Sequence, residues 1–148
     1  MSLTILGGLT ATAVVPQTII PTTIVGIPAR PGTLTILPAA SQALSALRAV
    51  RFTSAVTVDY VDPTDLAQGH QAVGITMHAA VAGANVTVLT AGEMQDTSWN
   101  WTPGPVFIGA YGSLTQLPPS APLKWSRVVA IAETPTVLWV APQPPIFI

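Results

Sequence analysis

The sequence WNWTPGPVFIGAYGSLTQLPP, from Trp99 to Pro119, does most to decide the fold. Two tryptophans flank an asparagine, and a Pro-Gly-Pro run then predicts a turn, because proline fixes φ and glycine accepts positive φ. Val106–Ile108 predicts a short apolar strand, residues 109–112 form a glycine-rich corner, and a second strand leads into two prolines. No residue of the stretch is charged. It therefore predicts a β-hairpin with an architectural role.

Short apolar runs separated by turn residues continue on both sides of this hairpin. β-branched residues favour extended backbone, whereas glycine, proline, asparagine and aspartate favour turns between the strands. The further strands predicted in this way are Val56–Tyr60, Ala72–Met77, Asn85–Leu89, Arg127–Ala132, Thr136–Val140 and Ile146–Ile148. Short strands at such spacing are typical of a sandwich or barrel. We expect the apolar run at 146–148 to be buried.

Residues 39–52 fit two patterns. Leu44, Leu47 and Arg48 recur at helical spacing, and Ser41 could cap that helix. The end of the run instead alternates polar and apolar residues, as a strand does. The duplication described next favours a strand from about Leu47, with at most one helical turn before it.

The chain contains an internal duplication, which is worth testing before any function is considered. A shift of 56 residues aligns two pairs of apolar runs in the same order. The aligned runs are 49–52 with 105–108, and 73–75 with 129–131. The last strand needs a shift of 51, which places Val88 on Trp139, because the second copy has a tighter loop.

The predicted fold is therefore all-β. Two half-repeats, about 44–94 and 103–148, give about eight short strands, enough for a small barrel or sandwich. Together they form a β domain at 44–148. An extended apolar N-terminal arm at 1–43 precedes it.

The arm is rich in β-branched residues and is interrupted by prolines every five to seven residues. Strands broken by proline belong at sheet edges or in an extended arm, since proline cannot donate to the ladder. An arm that is apolar on both sides has to bury both sides, which favours a neighbouring subunit over an irregular first layer of the same core. The arm residues predicted to contact a partner are Leu3, Ile5, Leu6, Val14, Val15, Ile19, Ile20, Ile24, Val25 and Ile27.

The composition excludes several classes of function. Hydrophobic residues make up 49% of the 148 residues, but charged residues make up only 7%, where about 25% is usual. Such a surface tends to associate, so we expect an assembly. The absence of cysteine excludes disulfides and thiolate metal sites. A net charge of −1 with five scattered basic residues argues against nucleic acid, and the prolines argue against a membrane span.

No grouping of residues predicts catalysis, a cofactor or a metal site. A cation site is conceivable near the two histidines, although a solvated polar loop explains the same residues. The residues concerned are His70, His78, Asp59, Asp62 and Asp65. Glu93 and Asp96 could be imagined as a glycosidase pair, but exposed turn carboxylates are the commoner interpretation. No nucleophile elbow exists, so we expect that the protein is not an enzyme.

Four aromatic residues pose a sharper question: Trp99, Trp101, Tyr111 and Trp125. Rings near hairpin loops can stack on a sugar or fill a pocket of another subunit. They can equally plug the ends of a small β domain. We favour core or subunit packing and keep ligand binding as the alternative.

Four stretches resemble a pattern that recurs in structural proteins of tailed bacteriophages. They are LSALRAVRF at 44–52, VGITMHAAVAGANVTVLTAGE at 73–93, SWNWTPGPVFIGAYGSLTQLPP at 98–119 and RVVAIAETPTVLWVAPQPPIFI at 127–148. The resemblance covers about residues 44–148 and lies in glycine, proline and aromatic spacings. Similar modules occur in head decoration (cement) proteins and in tail fibres.

The resemblance implies a non-enzymatic virion protein that acts as a homo-oligomer, commonly a trimer. The size of the chain favours a decoration or cement protein bound to the major capsid protein or other virion subunits. A tail-side component such as a fibre base, collar or baseplate protein is the first alternative. A carbohydrate-binding receptor module that uses the tryptophans is the second.

Overall fold

The computed structural model describes residues 32–117 and 119–148. The ten arm residues predicted to bind a partner lie outside the described residues. Within the described ranges the chain forms twelve short β-strands and two 3-10 turns, with no α-helix, so the predicted all-β class is confirmed. No helix in this part of the chain is long and apolar enough to cross a membrane.

The strands are β1 Leu34–Ile36, β2 Ala39–Ala40, β3 Ala49–Phe52, β4 Thr57–Tyr60, β5 Ala72–Thr76, β6 Val88–Gln95, β7 Gly104–Ile108, β8 Leu114–Thr115, β9 Trp125–Ser126, β10 Val128–Thr134, β11 Val137–Val140 and β12 Ile146–Phe147. The 3-10 turns cover Leu66–Gln68 and Ala110–Gly112. Ten strands form one sheet in the order β2-β4-β3-β5-β6-β11-β10-β7-β8, with β1 paired to β6. Pairing is antiparallel throughout this sheet except between β2 and β4. β9 and β12 form a separate pair.

Several predicted boundaries move in the structure. The strand expected from about Leu47 begins at Ala49, because Leu47 has a left-handed φ of 62° that a strand does not accommodate. β7 begins at Gly104, inside the predicted turn. The sheet already includes β1 and β2, which lie within the stretch assigned to the arm.

The two halves of the chain pair their strands in the same register. In the first half Arg51 lies opposite Asp59, and in the second half Phe107 lies opposite Thr115. Each second-half residue follows its first-half counterpart by 56 positions. The order β4-β3-β5-β6 is likewise mirrored by β8-β7-β10-β11. This is the arrangement that the internal duplication predicts.

The third strand of each half repeats an irregularity as well as a register. Arg51 pairs with Ala72 and Val50 with Gly74, so the ladder skips Val73. The β7–β10 ladder shifts its register at the corresponding place, between Val128 and Ala130. A bulge at the same position in both halves is difficult to obtain by chance, since bulges are specific features of a ladder.

The fourth strand corrects the predicted alignment by one residue. Leu89 pairs with Ile75, and Trp139 pairs with Ile131, which sets the shift at 50 and not 51. Val88 therefore corresponds to Leu138, and both side chains are fully buried. Because strand side chains alternate between faces, the shift of 51 matched a buried residue with one on the opposite face.

The first half buries both faces of its sheet. One face contributes Ala49, Ile75 and Leu89 to the main core. The other face contributes Val50, Val58 and Val88 to a second cluster, which is completed by Ala40, Leu44 and Val86. Residues 39–44 and the loop that precedes β6 therefore cover the outside of this half.

The second half shares only the main core, to which it contributes Val106, Ala130 and Leu138. In the duplication, Val106 corresponds to Val50 and Leu138 corresponds to Val88. In the first half, these two counterparts belong to the second cluster. The two halves thus bury opposite faces against each other. This requires that the strand between them, β6, change the face it presents.

β6 makes this change between Leu89 and Met94, a stretch that includes Gly92 and a register shift in the β1–β6 ladder, where Thr35 lies opposite Leu89 but Leu34 lies opposite Ala91. Leu89 and Met94 both belong to the main core although five residues separate them, whereas regular alternation would point them to opposite faces. Gly92 has a φ of +128°, and a Cβ there would lie 3.0 Å from the Cα of Thr33. Glycine tolerates this conformation, so the alternation of side chains between the two faces can shift by one residue in this stretch.

The expectation of a buried C-terminal run is wrong. Ile146, Phe147 and Ile148 are 71%, 47% and 66% exposed. The run is held as strand β12 against β9, so its backbone is paired while its side chains lie largely on the surface.

We predict that Gly92→Ala destabilises the protein more than Gly104→Ala. Both glycines have positive φ, but a Cβ at Gly104 meets nothing within 4 Å. Gly104→Ala should lower the free energy of unfolding by about 1–3 kcal/mol, and Gly92→Ala by a further 1 kcal/mol or more, as is usual for overpacking. Denaturant unfolding monitored by tryptophan fluorescence measures both. Equal losses would mean that the approach of Thr33 to β6 is unimportant.

Candidate interaction surface

The predicted aromatic residues divide between the interior and the surface. Trp99 and Trp101 lie in the connection between β6 and β7, with ring centroids 5.8 Å apart and planes tilted by 55°. Both are partly buried and pack against the main core. The Nε1 atom of Trp101 is buried without a hydrogen-bond partner among the described residues. These two rings therefore close one side of the core.

Trp125 is an interior residue. It has no exposed surface, and its Nε1–H donates a hydrogen bond of 2.9 Å to the carbonyl oxygen of Asp65. A buried indole usually finds such a partner. The structure therefore assigns Trp125 to the core, and its ring offers no surface to a ligand or to another subunit.

Tyr111 is the aromatic residue that faces solvent, with 73% of its surface exposed. It occupies a left-handed conformation with φ of 52° at the corner between β7 and β8. Arg48 Nη1 donates a hydrogen bond of 3.0 Å to its carbonyl oxygen. A Cβ on the neighbouring Gly112 would lie 2.1 Å from the carbonyl oxygen of Ala49. The corner of the second half is thereby seated directly on β3 of the first.

The structure gives the histidines separate partners. The His70 ring lies 5.4 Å from that of Phe147. His78 Nε2 accepts a hydrogen bond of 3.0 Å from the backbone N–H of Thr87, so it serves to close a loop. Within residues 32–117 and 119–148, no group of three histidine or acidic residues could hold a metal ion.

The acidic residues considered for chemistry serve the local backbone. Asp62 accepts hydrogen bonds from Thr64, and Asp65 caps the first 3-10 turn through the N–H of Ala67. Asp59 accepts a hydrogen bond from Gln42. These three carboxylates thus have structural roles.

Glu93 and Asp96 are both near the end of β6. The side-chain and backbone groups of Ser98 donate to the carboxylate of Asp96 and hold its pKa below the ordinary value. Glu93 is exposed and lies opposite Trp139 in the ladder. The carboxylate of Asp96 is therefore engaged by the turn that Ser98 forms with it.

The exposed surface of the described chain is unusually aliphatic. The aliphatic side chains more than half exposed are Leu34, Leu37, Val56, Leu66, Val81, Leu117, Ile146 and Ile148. Two of them, Leu37 and Val56, line a groove of about 450 Å³, which we call the hairpin groove. Its full lining is Ile36, Leu37, Pro38, Ala39, Phe52, Ala55, Val56 and Asn85. No charged residue lines it.

Backbone hydrogen bonds fix the walls of the hairpin groove. One wall is the β3–β4 hairpin, and the N–H of Ala39 donates to the carbonyl oxygen of Val56 at 2.8 Å. The other wall is the link between β1 and β2, where the N–H of Val86 donates to the carbonyl oxygen of Pro38 at 2.8 Å. The hydroxyls of Ser54 and Thr57 lie 2.7 Å apart within the hairpin. The groove is therefore formed by segments that are held in place.

Sequence reasoning missed this groove. Its residues come from three separate parts of the chain, and each part alone looks like an ordinary apolar strand end. The one available signal was the absence of charge from residues 31–47 and 52–58.

A second apolar groove, of about 310 Å³, lies between the β7–β8 hairpin and residues 119–123. Leu117, at 75% exposure, stands at this groove. Unlike the first, it is bounded by residues of the second half alone.

The comparisons with known proteins do not assign the chain to a family. No protein-family model matches it, and no curated protein matches it either.

We predict that Trp125→Phe costs more stability than Trp101→Phe. The first substitution removes the hydrogen bond to Asp65, which contributes about 0.5–1.5 kcal/mol, and it shortens a side chain that has no exposed surface. The second removes an N–H that has no partner, so only packing is lost. Denaturant unfolding measures both variants. If Trp101→Phe is the more damaging, the indole N–H of Trp101 has a role in the folded protein that its surroundings do not explain.

Proposed function

We propose that the chain is a non-enzymatic structural protein of a tailed-phage virion, a decoration or cement protein that stabilises the head. The observation that carries the proposal is the surface: eight aliphatic side chains are more than half exposed on the described part, in a chain with only 7% charged residues. Such a surface suits a protein that functions inside an assembly. The resemblance of residues 44–148 to phage structural proteins supports the same assignment.

The mechanism of stabilisation is burial of apolar surface. Each Å² removed from water contributes roughly 25 cal/mol before the costs of ordering are subtracted. The arm residues between Leu3 and Ile27 supply further uncharged surface for neighbouring subunits. An interface of this kind is expected to be insensitive to salt, since screening acts on charges.

A homotrimer is the assembly we propose. Three copies around one axis attach to the major capsid protein at several points, so that individually weak contacts add through avidity. The same apolar surface would also suit a component on the tail side of the virion. The number of copies per particle separates the two positions, because hundreds indicate the capsid and a few threes or sixes indicate the tail.

The carbohydrate-binding alternative has less support. Trp125 is in the core, and Trp99 and Trp101 are partly buried against it. Of the four aromatic residues considered, Tyr111 alone is exposed, and one ring is a small stacking surface for a sugar.

We predict that deletion of residues 1–30 abolishes binding of the protein to virus particles while the remaining chain still folds. Co-sedimentation of the purified protein with particles that lack it measures binding, and circular dichroism measures folding. The matched control is a chain in which Ile19 and Ile20 are changed to valine, which keeps the arm apolar and should bind as well as the unchanged protein. Undiminished binding of the truncated chain would show that the arm has no part in attachment.

A further inference from the structure

We propose that the hairpin groove binds the N-terminal segment of a second copy of this chain, residues 14–27, VVPQTIIPTTIVGI. This proposal rests on the proposed function, in which copies assemble side by side. It goes further by naming the receiving surface and its occupant.

The groove is an apolar site without a cover on the described part of the chain. Val56, Leu37 and Phe52 in its lining are 66%, 62% and 38% exposed. A volume of about 450 Å³ takes several side chains. Apolar side chains exposed side by side in this way form a surface that an apolar segment can cover.

The absence of charge selects the occupant. The lining holds no charged residue, so a charged segment would lose its hydration there without compensation. Residues 1–29 of the chain have no charged residue, and the first charge is Arg30. The segment 14–27 supplies seven valine and isoleucine side chains for the groove.

The prolines fit a groove better than they fit a sheet. Pro16 and Pro21 lack the N–H that a ladder needs, so the segment cannot form an unbroken ladder with a strand. A groove of side chains makes no such demand, and proline-containing extended segments commonly bind grooves that include an aromatic ring. Phe52 provides the ring, and Asn85 at the groove offers an amide that donates and accepts hydrogen bonds to a bound backbone.

The tether limits the distance between the two copies. Four residues, 28–31, join the segment to Gly32 and reach at most about 14 Å when fully extended. This distance suits a copy in direct contact. A segment on one copy that enters a groove on the next is a heterologous contact, and such contacts close a ring when the rotation is right. Three copies exchanging segments in this way form the proposed trimer.

The absence of cysteine from the chain allows a direct test with the full-length protein. The variant Thr22→Cys is mixed with Ala55→Cys, and separately with the control Ala67→Cys, which is also an exposed alanine but lines neither groove. Disulfides form only when the two Cα atoms approach within about 7 Å. We expect the pair with Ala55→Cys to cross-link at least about tenfold faster than the control pair, the effect of a raised local concentration.

A second pair of variants tests the chemistry of the groove. Val56→Asp in the Ala55→Cys chain should reduce cross-linking to the control rate, because it places a charge in the apolar lining. Val56→Thr has nearly the same shape and should retain most of it. Circular dichroism of both variants controls for folding.

Two results would overturn the proposal. One is cross-linking to Ala55→Cys that is no faster than to Ala67→Cys. The other is a Thr22→Cys, Ala55→Cys double variant that closes only within one chain at every protein concentration. Particle co-sedimentation of the unchanged protein, run in parallel, reports on the proposed function separately. Binding to particles without segment exchange defeats only the inference, and exchange without particle binding defeats only the proposed function.

Discussion

The structure depends on one strand, β6, which joins the two halves of the ten-stranded sheet. β6 pairs with β5 through Val88 and Leu89, and with β11 through its second half. Its side chains change faces between Leu89 and Met94, so that both of these residues belong to one core. Without that step, equivalent residues of the two half-repeats would lie on the same face of the sheet. A backbone conformation that glycine accepts thus helps β6 to join the two duplicated halves.

This arrangement makes the duplicated halves unequal. Val50 and Val106 occupy equivalent register positions, but Val50 lies under residues 39–44 and Val106 lies in the main core. The first half consequently needs an additional cover, which β2 and the loop before β6 supply. The hairpin groove lies where this cover ends, between Pro38 and Val56. The exposed apolar site is therefore a consequence of how an all-β duplication packs against itself.

The sequence predicts those features whose causes are local. The corner at 109–112, the all-β class and the shift of 56 follow from breakers and alternation within short windows. The positions that prediction missed have causes far away in the chain. Leu47 adopts a left-handed conformation beside a hydrogen bond from its N–H to Thr76. The fourth strand is misaligned by one residue because valine and leucine leave either register plausible until its partner strand is known.

The candidate site was harder to predict from the sequence for the same reason, because its causes also lie far apart in the chain. Large aromatic rings attract attention in a sequence, yet Trp125 is interior because its N–H reaches a carbonyl oxygen 60 residues away. The surface available for binding is instead aliphatic, and it is assembled from three segments that no window contains together. What the sequence does carry is the absence of charge across those segments. In a chain with 7% charged residues, an uncharged groove and an uncharged segment of the same chain are complementary in the one property that an apolar interface requires, since neither has to give up a hydrated charge when they meet.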